Sequence, residues 1–137
     1  MASRSLDDLT QKARESCLKW IAECKEEGID VLVYCTYRDG KEQDELYAIG
    51  RTKPGKIVTN ARAGDSWHNW HRAWDAVPLI NGKAAWDDKG SYAKMGRIAE
   101  SLGIEWAGRW TGKLKETAHF QVTDGVTLAQ LKAGKAK

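Results

Sequence analysis

The sequence predicts an α+β domain in which a small antiparallel sheet packs with helices. Three observations lead there. Two segments repeat apolar residues at spacings of three and four. Several short β-branched or aromatic runs are set off by Gly and Asn-Gly turns. Helices and strands follow one another without the regular alternation of a βαβ fold. At 137 residues the chain fits one domain, 1–137, with no separate cell-wall-binding or other module expected, and it can build a core without staples.

Each element has its own signal. Ser5 caps a helix over residues 6–27, where Leu9, Ala13, Cys17, Trp20, Ile21 and Cys24 form one apolar face. Gly28 ends it. Residues 31–37 (Val-Leu-Val-Tyr-Cys-Thr-Tyr) read as a strand buried on both faces. After Asp39-Gly40, residues 41–49 form a short helix closed by Gly50. Residues 51–65 have no period but carry Gly, Pro and basic residues, which predicts a long loop of the kind that serves function. Residues 71–80 form a strand, Asn81-Gly82 a hairpin turn, and 83–86 the return. Residues 91–102 are a helix with Met95, Ile98 and Leu102 inward, stopped by Gly103. Short strands at 104–106 and 119–122 flank a loop running through Lys115, and a last short helix spans 127–131.

Composition excludes several classes. No apolar run reaches the roughly 18 residues of a membrane span, so no stable membrane insertion is expected. The N-terminus turns polar and acidic where a secretion signal needs an apolar stretch, which predicts synthesis in a cytoplasm. Cys17, Cys24 and Cys35 form no metal-type pair, and their odd number predicts reduced thiols, the first two on one helix face. A net charge of +3 and a pI near 8.7 suit an anionic partner. No dense basic cluster interleaved with aromatics is present, so nucleic acid is not expected as that partner. The C-terminal run from Lys132 to Lys137 reads as a solvated tail. Seven tryptophans are a heavier signal, because flat indoles can wall a cleft as well as fill a core.

The chemistry concentrates in Ser66-Trp67-His68-Asn69-Trp70-His71-Arg72-Ala73-Trp74-Asp75 and in Glu116-Thr117-Ala118-His119. A hydrolytic zinc takes three protein ligands and keeps a fourth position open. His68, Asp75 and His119 could fill the three places. His68 and Asp75, seven apart, share one face of a helix or converge if a turn precedes a strand. Glu116, three residues before His119, is placed to exchange protons with water and a leaving amine.

The order Ser66-x-His68-x-x-x-x-Ala73-x-Asp75 followed by Glu116-x-x-His119 resembles the zinc peptidases of the D-alanyl-D-alanine carboxypeptidase (VanY-like, M15) family, most of all the phage endolysins that act as L-alanyl-D-glutamate endopeptidases. Upstream, Tyr37-Arg38-Asp39-Gly40-Lys41-Glu42-Gln43-Asp44-Glu45-Leu46-Tyr47 is similar to the family's Tyr-Arg…Gln…Leu-Tyr segment. The likeness covers residues 31–122. It implies a D-Ala-D-Ala carboxypeptidase/Hedgehog-like fold with Zn²⁺ in a cleft on the sheet, bound by His68, Asp75 and His119. Glu116 is then the general base and acid, and Arg38 holds substrate or the developing oxyanion. Ser66 steadies the loop or touches substrate, Gln43 supports Arg38 or the cleft wall, and one or two of Trp67, Trp70 and Trp106 line the cleft.

Two positions depart from the pattern. His71 stands where the family places glycine; it is expected to point away and cost stability, with ligand competition from His68-x-x-His71 as the other outcome. Gln121 stands where an acidic residue is common, which predicts weaker support for His119. The implied function is a monomeric zinc endolysin hydrolysing a bacterial peptidoglycan stem peptide, made without a signal peptide and reaching the wall after inner-membrane permeabilisation. A D,D- or L,D-carboxypeptidase of the same fold and a non-catalytic, metal-stabilised wall-binding module are the rival readings.

Overall fold

Alternation along the strands divides the molecule into a helical side and a cleft side. The computed structural model describes residues 2–110 and 116–134, so part of the expected loop through Lys115 and the end of the basic tail lie outside the described residues. Strands β1 (Asp30–Cys35), β2 (Ala73–Ile80), β3 (Lys83–Ala84), β4 (Glu105–Trp106) and β5 (His119–Gln121) form a five-stranded sheet in the order β1-β2-β5-β4, with β3 on β2. All named pairings are antiparallel. Helices α1 (Gln11–Glu26) and α3 (Lys89–Ser101) pack against the sheet; α2 (Gly40–Ala48) and α4 (Leu128–Lys132) complete the fold. No described helix is long and apolar enough to cross a membrane.

The helical face of the sheet carries the core. Trp74 of β2 lies directly opposite Phe120 of β5. Trp20 from α1 covers both, with ring centroids 5.8 Å from Trp74 and 4.5 Å from Phe120. The Trp20 indole N–H donates to the Met95 carbonyl at 3.0 Å, tying α1 to α3. Such large, fully buried rings each remove roughly 150–250 Å² from water. Cys17 and Cys24 are buried free thiols on the inner face of α1. Burial pushes the Cys17 thiol well above its ordinary range and Cys24 to about 12, so both stay protonated.

Several boundaries differ from expectation for identifiable reasons. The first helix is broken: Ser5 caps a 3-10 turn (Leu6–Asp8), and α1 begins only after Thr10, whose hydroxyl accepts from Ala13 N–H. Thr10 N–H is bonded instead to His71 O at 2.9 Å, so a tertiary contact interrupts the helical ladder. Strand β1 is not buried on both faces; its residues alternate, and Leu32 is 39% exposed. The Asn81-Gly82 turn forms as expected, with φ of 53° and 77° at the two positions, the signature of a type I′ hairpin. Its return strand ends at Ala84, leaving Trp86 outside it.

Trp106 occupies a slot made by two glycines. A Cβ at Gly96 would lie 2.1 Å from Trp106 Cδ2, and one at Gly108 would lie 2.1 Å from Trp106 Cζ2. The Trp106 indole N–H donates to Thr117 O at 2.8 Å. Gly96→Ala should therefore destabilise the protein by about 1–3 kcal/mol through overpacking, despite alanine's better helix propensity. Urea unfolding measures this; unchanged or increased stability would show that the slot is not tight.

Candidate metal centre and cleft

On the sheet face opposite Trp74 and Phe120, register places three chemical groups in a row. Asp75 lies directly across from Cys35 of β1 on one side and His119 of β5 on the other. Directly opposed residues on antiparallel strands share a face with Cβ atoms roughly 4.5–5.5 Å apart. His68 joins them from the 3-10 turn Trp67–Trp70, which immediately precedes β2. The turn resolves how residues seven apart converge.

The turn is held by its own side chains. Ser66 Oγ accepts from His68 N–H at 3.2 Å, and Asn69 Oδ1 accepts from Ser66 N–H at 3.2 Å and Gly64 N–H at 3.0 Å. Asn69 Nδ2 donates to Arg38 O at 2.7 Å, and Arg38 N–H donates to His68 O. These bonds satisfy the turn's end and lock the arginine segment to the histidine segment. His71 closes the turn in the left-handed region at φ 62°. Glycine adopts this conformation without the strain that a Cβ brings. The imidazole stacks on Tyr37, centroids 4.0 Å apart and planes within 1°, and its Nδ1–H donates to Asp8 O at 2.6 Å. It is thus tied away from the cluster, as expected.

Three donor atoms meet at the cluster. His68 Nε2 is 3.0 Å and His119 Nδ1 3.2 Å from the same Asp75 Oδ1. The opposite nitrogen of each ring is already committed: His68 Nδ1 faces Thr36 O at 2.8 Å, and His119 Nε2 faces Gln121 Oε1 at 2.8 Å. With those nitrogens donating, the inward nitrogens present lone pairs toward a carboxylate. Acceptors so opposed require a proton or a cation between them. Without a metal the proton serves. Burial opposes charge on His68, but Asp75 beside it lifts the imidazole pKa to about 10. Burial likewise opposes charge on Asp75, and the two imidazoles hold its carboxyl well below the usual range.

Gln121 is not the weak point expected. Its amide nitrogen donates to Glu105 Oε2 at 2.8 Å while its oxygen receives His119, so Glu105 anchors the ring through an amide link. Cys35, expected only as a reduced thiol, lies beside the cluster. Its Sγ lies 3.8 Å from His68 Nδ1 and 3.5 Å from Arg38 Nη2. Donor atoms of Cys35, His68 and Asp75 all fall within 4.8 Å of one another. The nitrogen that faces the thiol is the one bonded to Thr36, so the inward set of His68, Asp75 and His119 is the better one for a cation. The signal for Cys35 was its strand register, which a lone sequence does not print.

A cleft of about 600 Å³ opens over the cluster. Glu116 lines it with its Oε2 3.8 Å from His119 Nδ1 and its side chain about half exposed. Arg38 lines the other side; its Nη1 donates to Gln43 Oε1 at 3.0 Å. Gln43 itself is fully buried behind the arginine, its Nε2 donating to Ala61 O, and does not line the cleft. Ser66 and Trp67 line it, as does Trp110, whose ring centroid is 5.9 Å from that of His119. Trp70 is turned to Gly64 O through its indole N–H, and Trp106 faces a neighbouring concavity. Lys132, expected in the solvated tail, instead ends α4 and pairs with Asp65 at 2.7 Å.

Two outcomes follow from this geometry. In the metal-free protein, the raised His68 pKa gives stability that is complete below the unfolded value of 6.5 and lost as pH climbs toward 10. The lowered Asp75 pKa gives stability present above 3.8 and lost as pH falls. The melting temperature of chelator-treated protein should peak between these two values, and a saturating divalent cation should remove the alkaline decline by replacing the proton. A melting temperature flat from neutral pH to pH 10 in the chelated protein would contradict the pairing. Separately, His71→Gly should leave divalent-cation affinity within about twofold, since His71 is no ligand, and lose about 1 kcal/mol from the stack and hydrogen bond net of relieved strain. Calorimetric titration showing a tenfold change in affinity would place His71 in the centre after all.

Comparison with known proteins agrees with this architecture. The VanY D-alanyl-D-alanine carboxypeptidase model matches residues 6–121. The chain is 41% identical over 104 residues to the peptidoglycan L-alanyl-D-glutamate endopeptidase CwlK of Bacillus subtilis, covering 69% of this chain and 62% of that protein. It is 29% identical over 121 residues to the L-alanyl-D-glutamate peptidase of Listeria phage A118, covering 85% of this chain but 37% of that protein. The chain thus spans less than two thirds of either relative. Among solved structures, the Serratia marcescens L-Ala D-Glu endopeptidase ChiX superposes with a TM-score of 0.63 at 20% identity, covering 99% of this chain and 93% of that one. A vancomycin-resistance D,D-pentapeptidase VanY solved with Zn(II) superposes with a TM-score of 0.63 at 13% identity, covering 94% and 79%. The fold is theirs, and the match across residues 6–121 establishes that the chain belongs to the VanY D-alanyl-D-alanine carboxypeptidase family.

Proposed function

We propose that the protein is a zinc-dependent peptidoglycan peptidase that hydrolyses the L-alanyl-D-glutamate bond of the stem peptide. One observation carries the reading: two imidazole nitrogens and one carboxylate oxygen converge at 3.0 and 3.2 Å on a cleft that also holds a glutamate. Bonds of about 2.0–2.1 Å in a tetrahedron put neighbouring ligand atoms about 3.3 Å apart, so the donor set and spacing suit Zn²⁺ with little adjustment. The named activities of the Bacillus and Listeria phage relatives favour this bond over a terminal one.

Zn²⁺ in that place would acidify water and polarise the scissile carbonyl. The protein's own residues do the rest. His68, Asp75 and His119 hold the cation, with Thr36 and the Gln121–Glu105 pair fixing the ring orientations. Glu116, beside His119 and open to the cleft, takes the proton of the attacking water and returns one to the departing amine. The Arg38 guanidinium, steadied by Gln43, offers fixed positive charge to the oxygen that becomes negative. Trp67 and Trp110 wall the cleft. A phage endolysin role, acting on the wall once the inner membrane is permeabilised, fits the basic net charge facing an anionic polymer.

Digestion of purified peptidoglycan, analysed by mass spectrometry with and without chelator, tests the reading. New amino-terminal D-glutamate that disappears with chelator is the expected result; release of free D-alanine would identify a carboxypeptidase instead, and no new amino groups would reject catalysis. Glu116→Ala should keep its zinc and lose hydrolysis by at least about 10²-fold, whereas His119→Ala should lose both. Zinc content by elemental analysis separates the two, and a fully active Glu116→Ala protein would overturn the proton-transfer role.

A further inference from the structure

A second concavity of about 490 Å³ adjoins the cleft, lined among others by Trp86, Asp87, Lys89, Tyr92, Trp106 and Thr117. Two residues join the spaces. Thr117, next in sequence to Glu116, lines both. Tyr34 lines the cleft, and its ring meets the Trp86 ring edge-on at 5.1 Å. The shared wall is braced from behind, because the Trp106 indole N–H holds the Thr117 carbonyl at 2.8 Å. Trp86 itself follows the β2–β3 hairpin and is 55% exposed. A large indole standing half in water, held edge-on by a ring that lines the candidate active site, is a surface prepared for a ligand.

The charge of this wall suits a neutral ring better than an acidic peptide. Asp87 and Lys89 balance one another, and Trp86 supplies the exposed aromatic face, since Tyr92 and Trp106 are only 4% and 8% exposed. An indole face packs on the C–H face of a pyranose, while a carboxylate and an ammonium at the rim can serve hydroxyl and acetamido groups. The substrate's own connectivity brings such a ring close. In a peptidoglycan stem the first residue, L-alanine, is joined through its amine to the lactyl group of muramic acid. Cleavage after that alanine leaves one residue and the lactyl arm between scissile carbonyl and sugar, on the order of 7–10 Å at about 3.3–3.6 Å per extended residue. Cleavage at the far end of the stem would leave the sugar several residues away and out of reach.

We infer that the concavity of Trp86, Tyr92 and Trp106 is a subsite for the amino sugar of the glycan strand, so that the enzyme reads a stem peptide together with its attached muramyl ring. The inference rests on the proposed L-alanyl-D-glutamate cleavage. It makes Trp86 a residue that selects substrate without acting in the bond-breaking step.

The test compares two substrates on the zinc-loaded full chain: a disaccharide-tetrapeptide released from peptidoglycan by a muramidase, and the same tetrapeptide with an acetyl group on its alanine. The unmodified protein should favour the disaccharide-peptide in kcat/KM by about tenfold, the worth of one good ring contact. Trp86→Ala should abolish that preference and leave the acetyl-peptide rate unchanged, while Trp86→Phe should restore part of it. An unaltered melting temperature checks that the exposed site tolerates the change. In parallel, the Trp86 indole N–H resonance should move on titration with disaccharide-peptide and stay still with acetyl-peptide. Equal rates on both substrates, an equal loss on both in Trp86→Ala, or an indole signal indifferent to the sugar would overturn the subsite. Failure to cleave either substrate would reject the proposed peptidase activity, and the resonance shift would still decide whether the sugar binds.

Discussion

Asp75 sits in the middle of the sheet, opposite Cys35 on one strand and His119 on another. The rest of the site depends on that register. Slipping β2 by one residue would turn every side chain to the other face, carrying Trp74 into the cleft and Asp75 into the core. The aromatic packing of Trp74, Phe120 and Trp20 on the helical side therefore fixes the polar row on the cleft side. Core and site are two faces of one strand alignment. The charge row is in turn expensive to maintain, since a buried carboxylate between two imidazoles is stable only with a proton or a cation to share.

This dependence explains the supporting cast. Thr36 O and Gln121 Oε1 each take one ring nitrogen, so neither histidine can turn its lone pair away from Asp75 without losing a bond. Glu105 adds its carboxylate at one remove, through the Gln121 amide. Arg38 is bound to the His68 segment through Asn69 and its own backbone, so the guanidinium and the His68 ring are positioned together. Trp106, locked between Gly96 and Gly108, carries the wall on which Thr117 and the second concavity rest.

Much of this was legible in the sequence. Period-3.6 patterning marked α1 and α3, Asn81-Gly82 marked the hairpin, and the pattern of His68, Asp75, Glu116 and His119 marked residues that the fold brings together. What escaped were features set by pairing rather than by local pattern. Cys35 enters the cluster only because β1 pairs with β2 in one register. Glu105 supports His119 only because β4 pairs with β5. The break before α1 comes from Thr10 reaching His71, a contact across sixty residues of chain. Gln121 looked like a loss because its type was judged without Glu105. The tryptophans divided by burial and direction: Trp67 and Trp110 face the cleft, Trp70 braces the loop, and Trp106 faces the neighbouring concavity.

The proposed centre holds one cation between His68, Asp75 and His119. X-ray absorption at the zinc edge of the loaded protein tests it without reference to activity. The expected result is nitrogen and oxygen neighbours only, at about 2.0–2.1 Å, with outer scattering from two imidazoles. A sulfur contribution near 2.3 Å would place the metal on Cys35, and a shell with fewer than two imidazoles would remove His68 or His119 from the site; either result contradicts the assignment.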